Sequence, residues 1–320
     1  MESPYSNPTS VVVICGGPSV ESEVSRASAA QVAKALRVSF NDVRLLEFDE
    51  SLAERLVQNR PDVVFPVMHG TPGEDGTLQG FLEVLGLPYV GSAVAASAFA
   101  MNKVVAKQIF RQAGLPVCED AVVRRGDDVA EVAAMELLNS SSTGVAIKPI
   151  DQGSAVGVSF AANLLELARA LEVCFNISSI ALVERRIIGK EVTVGVLQVD
   201  DPHALPPIEV HTPSGWYDFE NRYTPGRSEH IIPARVEDST LHQLKTIAIS
   251  AHRALGCRDL SRADFLVSDD GCVYLLEVNT LPGMTPTSLF PDAAQAYGIQ
   301  FDDLVRDLVV RSFRRSQKHL

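Results

Sequence analysis

Apolar positions along the chain fall into two rhythms. Short apolar runs rich in valine occur at 10–15 (SVVVIC) and 61–67 (PDVVFPV), and 43–48 (VRLLEF) is a further strand candidate. Strands that are apolar throughout belong to parallel sheets covered on both faces. Between them lie stretches with helical spacing, 21–36, 51–58 and 77–85. The first run leads through Gly16-Gly17-Pro18-Ser19 into the first of these, a strand, a glycine turn and a helix. This alternation predicts a doubly wound α/β unit ending near residue 97.

The rhythm then changes. A helical stretch over 98–113 stops at Gly114-Leu115-Pro116, and a second helix covers 128–138, before the polar break 139–144. Strands are expected at 145–148, 158–160 and 180–184, with a glycine loop at 151–157 and a helix over 163–173. These predict a small α+β unit. Farther on, strands are expected near 191–198 and 205–210. A polar loop spans 211–226 and a long helix 238–255. The strands 261–267 and 271–277 are joined by Ser268-Asp269-Asp270, a hairpin signal. The expected division is 1–97, 98–186 and 187–320.

Composition narrows the function classes. The chain has 28 Lys and Arg against 40 Asp and Glu, a formal net charge of −12. That balance argues against a nucleic-acid surface, but not against phosphate ligands, which are held by local cations. No apolar run approaches a membrane span, and the polar residues 1–10 lack a basic leader, so neither a membrane partner nor secretion is expected. Cys15, Cys118, Cys174, Cys257 and Cys272 are odd in number and scattered without CxxC spacing. They read as reduced thiols of a cytoplasmic protein, with no zinc site.

Several polar residues sit where chemistry is done. Asp264 lies on one strand of the last hairpin, and Glu277 and Asn279 lie two residues apart on the other. Period-two geometry turns the latter pair to one face. With triphosphate oxygens completing the shell, these oxygens make a site for a hard cation such as Mg²⁺. A solvated hairpin with chance acids accounts for the same spacing, and Asp269 and Asp270 fit that description. Lys148 ends an apolar strand (VAIK) beside the glycine loop, and Lys103 opens a helix. A lysine beside such a loop reaches phosphate oxygens as a point charge, whereas a lone lysine is usually a surface charge. Gly153-Ser154-Ala155-Val156-Gly157 permits close backbone approach to phosphates, but it is neither a P-loop nor a GxGxxG fingerprint. Glu184 ends ALVE and Glu191 lies seven residues on. One suits an adenine amino group and the other a ribose diol, unless both are surface glutamates. His69 ends a strand at the carboxyl edge, either structural or at a ligand site. Trp216 to Tyr223 interleaves aromatics and charges, as lids do and as loops pinned by their own rings also do.

Taken together, the segments resemble a known family. Gly16-Gly17-Pro18-Ser19-Val20-Glu21-Ser22-Glu23-Val24-Ser25 is similar to the N-terminal signature of D-alanine–D-alanine ligases. His69-Gly70-Thr71-Pro72-Gly73-Glu74-Asp75-Gly76-Thr77-Leu78-Gln79-Gly80 and Pro88-Tyr89-Val90-Gly91-Ser92 resemble that family too. Leu275-Leu276-Glu277-Val278-Asn279-Thr280-Leu281-Pro282-Gly283-Met284-Thr285 resembles its C-terminal signature. The likeness runs from about Val11 to about Leu304, with motifs in family order.

The resemblance implies an ATP-grasp fold, with a Rossmann-like N-terminal domain and two α+β domains enclosing ATP. It implies a magnesium-dependent ligase, with manganese an alternative ion, that joins two D-alanines for peptidoglycan and cell-wall synthesis. It also implies a homodimer. By resemblance, Glu21 holds the ammonium of the first D-alanine in a trio with Ser154 and Tyr223, and His69 lies near that substrate. Lys103 and Lys148 contact phosphates, Lys148 reaching toward adenine as well. Glu184 recognises adenine and Glu191 ribose. Arg262 stabilises the transferred phosphate and, with the Gly283 N–H, the oxyanion. Asp264, Glu277 and Asn279 are the implied metal ligands. Ser288 binds the carboxylate of the second D-alanine, with Leu289 beside it. Residues 216–223 resemble the family's lid.

Three positions depart from the family pattern. Ala155 stands where a second serine is usual, Arg222 where the lid has lysine, and Asn102 where aspartate is frequent. They motivate an alternative, a relative joining D-alanine to another D-amino or D-hydroxy acid. Tyr223 favours an amine acceptor, because relatives that use D-lactate commonly carry histidine in that region. A nucleotide-binding protein without catalysis is a third reading, opposed by the presence of the implied metal trio, both lysines and Arg262.

Overall fold

A computed structural model describes residues 7–212, 227–285 and 288–317. The first unit holds β1 (Ser10–Cys15), α1 (Ser22–Leu36), β2 (Asp42–Glu47), α2 (Leu52–Gln58), β3 (Val63–Pro66) and α3 (Thr77–Val84). Its sheet has the order β2-β1-β3, all parallel. Val11, Val13 and Cys15 pack with α1, while Val12 and Ile14 pack with Leu52, Leu56, Leu78 and Leu82 of α2 and α3. Both faces of β1 are therefore covered, which is why its pattern is apolar without alternation. This is the doubly wound arrangement expected.

The predicted single helix over 98–113 is two helices, α4 (Val94–Met101) and α5 (Lys103–Gln112). Asn102 breaks them. Its backbone is extended (φ −85°, ψ 102°), and its side-chain oxygen accepts from the N–H groups of Val104 and Val105. An N-capping asparagine starts a new helix even inside a continuous helical rhythm.

The second sheet is formed by β4 (Asp120–Arg124), β5 (Val145–Pro149), β6 (Ser159–Ala161) and β7 (Ile180–Arg185), in the antiparallel order β4-β7-β5-β6. Helices α6 (Asp128–Ser140) and α7 (Leu164–Phe175) cover one face, packing on Val123, Val145, Ile147, Ala181 and Val183. Alternation then puts Ala146, Lys148 and Glu184 on the opposite face.

The third sheet contains β8 (Gly189–Gln198), β9 (Pro202–Ala204), β10 (Ile208–His211), β11 (Glu229–Ile231), β12 (Leu260–Ser268) and β13 (Val273–Asn279). Its order is β11-β10-β8-β12-β13, with β9 paired to β8. The strand expected over 205–210 begins only at Ile208. Pro206 and Pro207, which lack the N–H a ladder needs, separate β9 from β10. Helix α8 (Asp238–Leu255) covers one face together with Ala106 and Phe110 of α5. Two further helices, absent from the periodicity reading, complete the chain: α9 (Leu289–Ala296) and α10 (Phe301–Gln317). Leu304, Val305 and Leu308 of α10 join the core of the first unit, so the last helix returns to the first sheet.

Asp259, just before β12, ties these parts together. It is buried and left-handed (φ 63°), and it accepts from the Gly91 N–H (2.8 Å) and from Arg315 of α10 (3.1 Å). Among the described residues no helix is long and apolar enough to cross a membrane, and all five cysteines are free thiols.

Candidate active site

The carboxyl edge of the first sheet supplies one wall. The turn after β1 is held to the end of β3 by Ser25, whose Oγ accepts from the Gly16 N–H (2.8 Å) and donates to the Val67 carbonyl (2.7 Å). This sets Glu21, at the start of α1, and His69, just past β3, in one cavity, and both are buried. His69 Nδ1 lies 3.3 Å from Glu74 Oε1, and the other Glu74 oxygen accepts from the Gly70 N–H (3.0 Å). Nε2 of His69 is buried without a hydrogen-bond partner among the described residues. Burial disfavours the imidazolium, but the hydrogen bond and charge of Glu74, aided by Glu21, outweigh it and raise the His69 pKa above its ordinary value.

The loop between β5 and β6 reaches over from the second unit. Ser154 and Ala155 both adopt left-handed backbone (φ 48° and 58°), and Ser154 Oγ donates to Glu21 Oε1 at 2.5 Å. The bond crosses from one unit to another and forms part of the cavity wall. Lys103, opening α5, donates its backbone N–H to the Ile150 carbonyl (2.9 Å) and its Nζ to the Gln152 carbonyl (2.6 Å). Its ammonium also lies 3.3 Å from Glu277 Oε2.

The third sheet supplies the floor. Asp264 faces Glu277 across the β12–β13 ladder, and Arg262 faces Asn279. The ladder slips one residue between Asp264 and Phe265, so that Phe265 opposes Leu275 and Leu276 is the extra residue. Without the slip, Glu277 would follow Leu275 into the core. With it, Leu275 packs in the core while Glu277 lines the cavities. Arg262 grips Asp264 with two bonds (2.9 and 2.8 Å), and Thr193 donates to Asp264 Oδ1 at 2.6 Å. Asn279 Oδ1 accepts from the Leu281 N–H at 2.8 Å. The donor set Asp264, Glu277 and Asn279 is all hard oxygen, on facing strands, and fits an oxygen-preferring cation. Among the described residues no three His, Cys, Asp or Glu side chains cluster as a metal site, and of this donor set Glu277 and Asn279 line the smaller cavity while Asp264 lines neither. A Cβ at Gly283 would stand 2.8 Å from Ser288 Oγ, so a larger residue there would displace that hydroxyl. Ser288 Oγ also accepts from the Thr285 N–H (3.0 Å), and both Ser288 and the buried Leu289 line this cavity.

A second cavity, about 380 Å³, opens between the second and third sheets. Lys148, Glu184 and Glu191 line it. Glu184 is buried, with Lys148 Nζ 2.5 Å from Oε2 and Lys107 Nζ on Oε1. Burial alone would raise its pKa. The charges of Lys148 and Lys107 overcome this and hold it down at about 2. Burial likewise opposes charge on Lys148, yet Glu184 outweighs it and keeps the pKa raised. The two cavities share Lys103, Gln152, Gly153 and Glu277 and are thus contiguous.

Tyr223, Arg222 and Trp216 lie outside the described residues. Sequence reasoning missed Lys107, Glu74, Thr193 and Glu209. Lys107 follows Lys103 by one helical turn and is 1% exposed, and that spacing was its only signal. Glu209, buried and held by Arg235 (2.6 Å), lines the second cavity from β10.

Comparison with known proteins agrees with this geometry. The family model described as D-ala D-ala ligase C-terminus matches residues 109–310, and that described as D-ala D-ala ligase N-terminus matches residues 44–92. A D-alanine–D-alanine ligase of Geotalea uraniireducens is 45% identical over 306 residues, covering 95% of this chain and 96% of the relative. One from Pelotomaculum thermopropionicum is 41% identical over 302 residues, covering 93% and 95%. Among solved structures, the D-alanine–D-alanine ligase from Coxiella burnetii superposes with a TM-score of 0.81 at 27% identity, covering 98% of this chain and 96% of that one. The VanG D-Ala:D-Ser ligase from Enterococcus faecalis gives 0.78 at 29% identity, covering 94% and 98%.

The fold, with a cleft between two antiparallel sheets, is that of the ATP-grasp class. The chain belongs to the D-alanine–D-alanine ligase family. That family uses ATP, with metal ions.

Proposed function

We propose that this protein joins two D-alanines to D-alanyl-D-alanine at the expense of ATP, through an acylphosphate, for peptidoglycan precursor synthesis in the cytoplasm. The observation that carries the reading is the continuity of the two cavities. A larger cleft lined by Lys148, Glu184 and Glu191 meets a smaller one lined by Glu21, Ser154 and Arg262, and Lys103 and Glu277 belong to both. A terminal phosphoryl group at that junction lies next to an amino acid in the smaller cavity. Family membership supports the same reading.

In this scheme Glu184 and Glu191 receive the adenosine, and Lys103, Lys148 and Arg222 hold the phosphates. Glu21, steadied by Ser154 and joined by Tyr223, binds the ammonium of the first D-alanine, with His69 beside it. The carboxylate oxygen of that D-alanine attacks the γ-phosphorus and ADP departs. Ser288 and Leu289 seat the second D-alanine, Ser288 on its carboxylate. Its amine attacks the activated carbonyl, the C–N bond forms, and the C–O bond to phosphate breaks. Arg262 and the Gly283 N–H stabilise the charge that develops on the carbonyl oxygen. Asp264, Glu277 and Asn279 would hold magnesium, or manganese in its place, and the ion's chemistry is neutralisation of triphosphate charge. Positioning and charge neutralisation are the protein's whole contribution, as in phosphoryl transfer generally.

We further propose three domains, 1–97, 98–186 and 187–320, and a homodimer, which sedimentation at micromolar protein checks. The likeness to a D-Ala:D-Ser ligase makes the acceptor the point to test. ADP release is measured with D-alanine alone and with D-alanine plus D-serine or D-lactate. The reading requires ADP and dipeptide with D-alanine alone. ADP only with D-serine or D-lactate added would make the protein a ligase of the alternative kind, and no ADP with any D-amino acid would make it a non-catalytic nucleotide binder.

A further inference from the structure

We propose that Lys107 is a positioning residue for the purine end of the nucleotide, acting through Glu184; the inference rests on the ATP site proposed above. Lys107 does not line either cavity. Its ammonium is buried on α5, and its three hydrogens are all engaged: by Glu184 Oε1, by Asp120 Oδ2 (2.8 Å) and by the Cys118 carbonyl (3.1 Å). Asp120 and Glu184 are direct partners across the β4–β7 ladder. Two facing acids at one buried position repel each other unless a cation stands between them. Lys107 is that cation. Arg111, on the next turn of α5, adds a second cation to Asp120 at 2.6 Å, and Lys148 takes the other oxygen of Glu184.

The consequence concerns ligand choice. A carboxylate accepts about four hydrogen bonds, two per oxygen. With one bond on each oxygen from a lysine, Glu184 retains acceptor capacity on a fixed plane in the wall of the larger cavity. Kept ionised, it accepts and never donates. It therefore favours a purine with an exocyclic amino group at position 6 and rejects one with a carbonyl there, because two facing acceptors are left unpaired. Lys107 also shares with Lys148 the counter-charge that Lys148 would otherwise supply alone.

The test uses Lys107→Met. Each acid keeps one cation in this variant, Asp120 with Arg111 and Glu184 with Lys148, so the fold is retained. The double variant Lys107→Met/Asp120→Asn, which removes one charge of each sign, is the second protein in the comparison. Calorimetry measures binding of a non-hydrolysable ATP analogue and of the corresponding GTP analogue, and steady-state kinetics follow. We expect the preference for the adenine analogue to shrink by about tenfold or more in both variants. KM for ATP is expected to rise by a similar factor, with kcat within about threefold of the parent. An unchanged adenine preference in a folded variant would overturn the inference, as would equal weakening of both analogues. If the parent protein binds ATP selectively but releases no ADP with D-alanine, the ligase reading falls while the role of Lys107 is still decided by the binding data.

Discussion

The Ser154–Glu21 bond is the most exposed point of the proposed mechanism, because it spans two units of the fold and both partners sit in the donor cavity. Ser154→Ala removes a hydroxyl that donates to a buried carboxylate at 2.5 Å. A hydrogen bond to an ionised group is worth about 1.5–3 kcal/mol, which corresponds to roughly 10- to 150-fold in binding. The backbone complicates the reading, since Ser154 is left-handed (φ 48°) and an L-residue there costs about 1–2 kcal/mol. Ser154→Gly separates the two effects. It loses the same bond but relieves a strain that serine and alanine share, so a defect due to the bond appears in both variants, and only the glycine variant departs further where the strain itself matters. The assay is ADP release with D-alanine varied at saturating ATP. For both variants kcat/KM for D-alanine is expected to fall by roughly 10- to 150-fold, with KM for ATP within about twofold of the parent. A wild-type value for D-alanine in either variant would refute the role assigned to the bond, and a defect confined to ATP would move Ser154 to the other cavity.

Other outcomes follow from the same structure. Glu277→Gln keeps the shape but removes one of two facing carboxylates, and a magnesium titration of ADP release should show a loss of roughly 100-fold or more. Turnover close to the parent would remove Glu277 from the metal site. His252 is buried, with Nδ1 2.7 Å from Ser261 Oγ and Nε2 3.2 Å from Gln198 Oε1, and burial pushes its pKa down to about 4. The folded state thus favours neutral imidazole, so its contribution is complete above about pH 6.5 and is lost as pH falls toward 4, by on the order of 3 kcal/mol. Urea midpoints of the parent and of a His252→Gln variant should converge across that window, and parallel curves would refute it. Asp259→Ala leaves the Gly91 N–H without its acceptor and removes the carboxylate partner of Arg315, and should lower unfolding stability by about 2–3 kcal/mol; a change below about 0.5 kcal/mol would mean that this junction contributes little.

Much of this protein was legible along the chain. The strand Ser10–Cys15 was readable because a strand buried on both faces must be apolar at every position, and the helix Asp238–Leu255 because one face of it must be. Lys148 and Glu184 were readable as polar ends of apolar strands, and the signature segments carried the family. Where local chemistry overrides rhythm, the reading failed in ways that have local causes. Asn102 caps a helix inside a helical pattern, and Pro206-Pro207 holds back the start of a strand.

Three things were decided only when distant segments met. Lys107 reads as a surface lysine until β4 and β7 bring Asp120 and Glu184 around it. The bond between Ser154 and Glu21 joins residues 133 apart in sequence. The facing of Glu277 depends on the one-residue slip at Leu276, which no period-two count reveals. A sequence determines which residues are polar and how often they recur, because periodicity is a local property of the backbone. Which charges neutralise one another is set by distances between strands and loops that only packing fixes, because electrostatic partners are chosen by space and not by order along the chain.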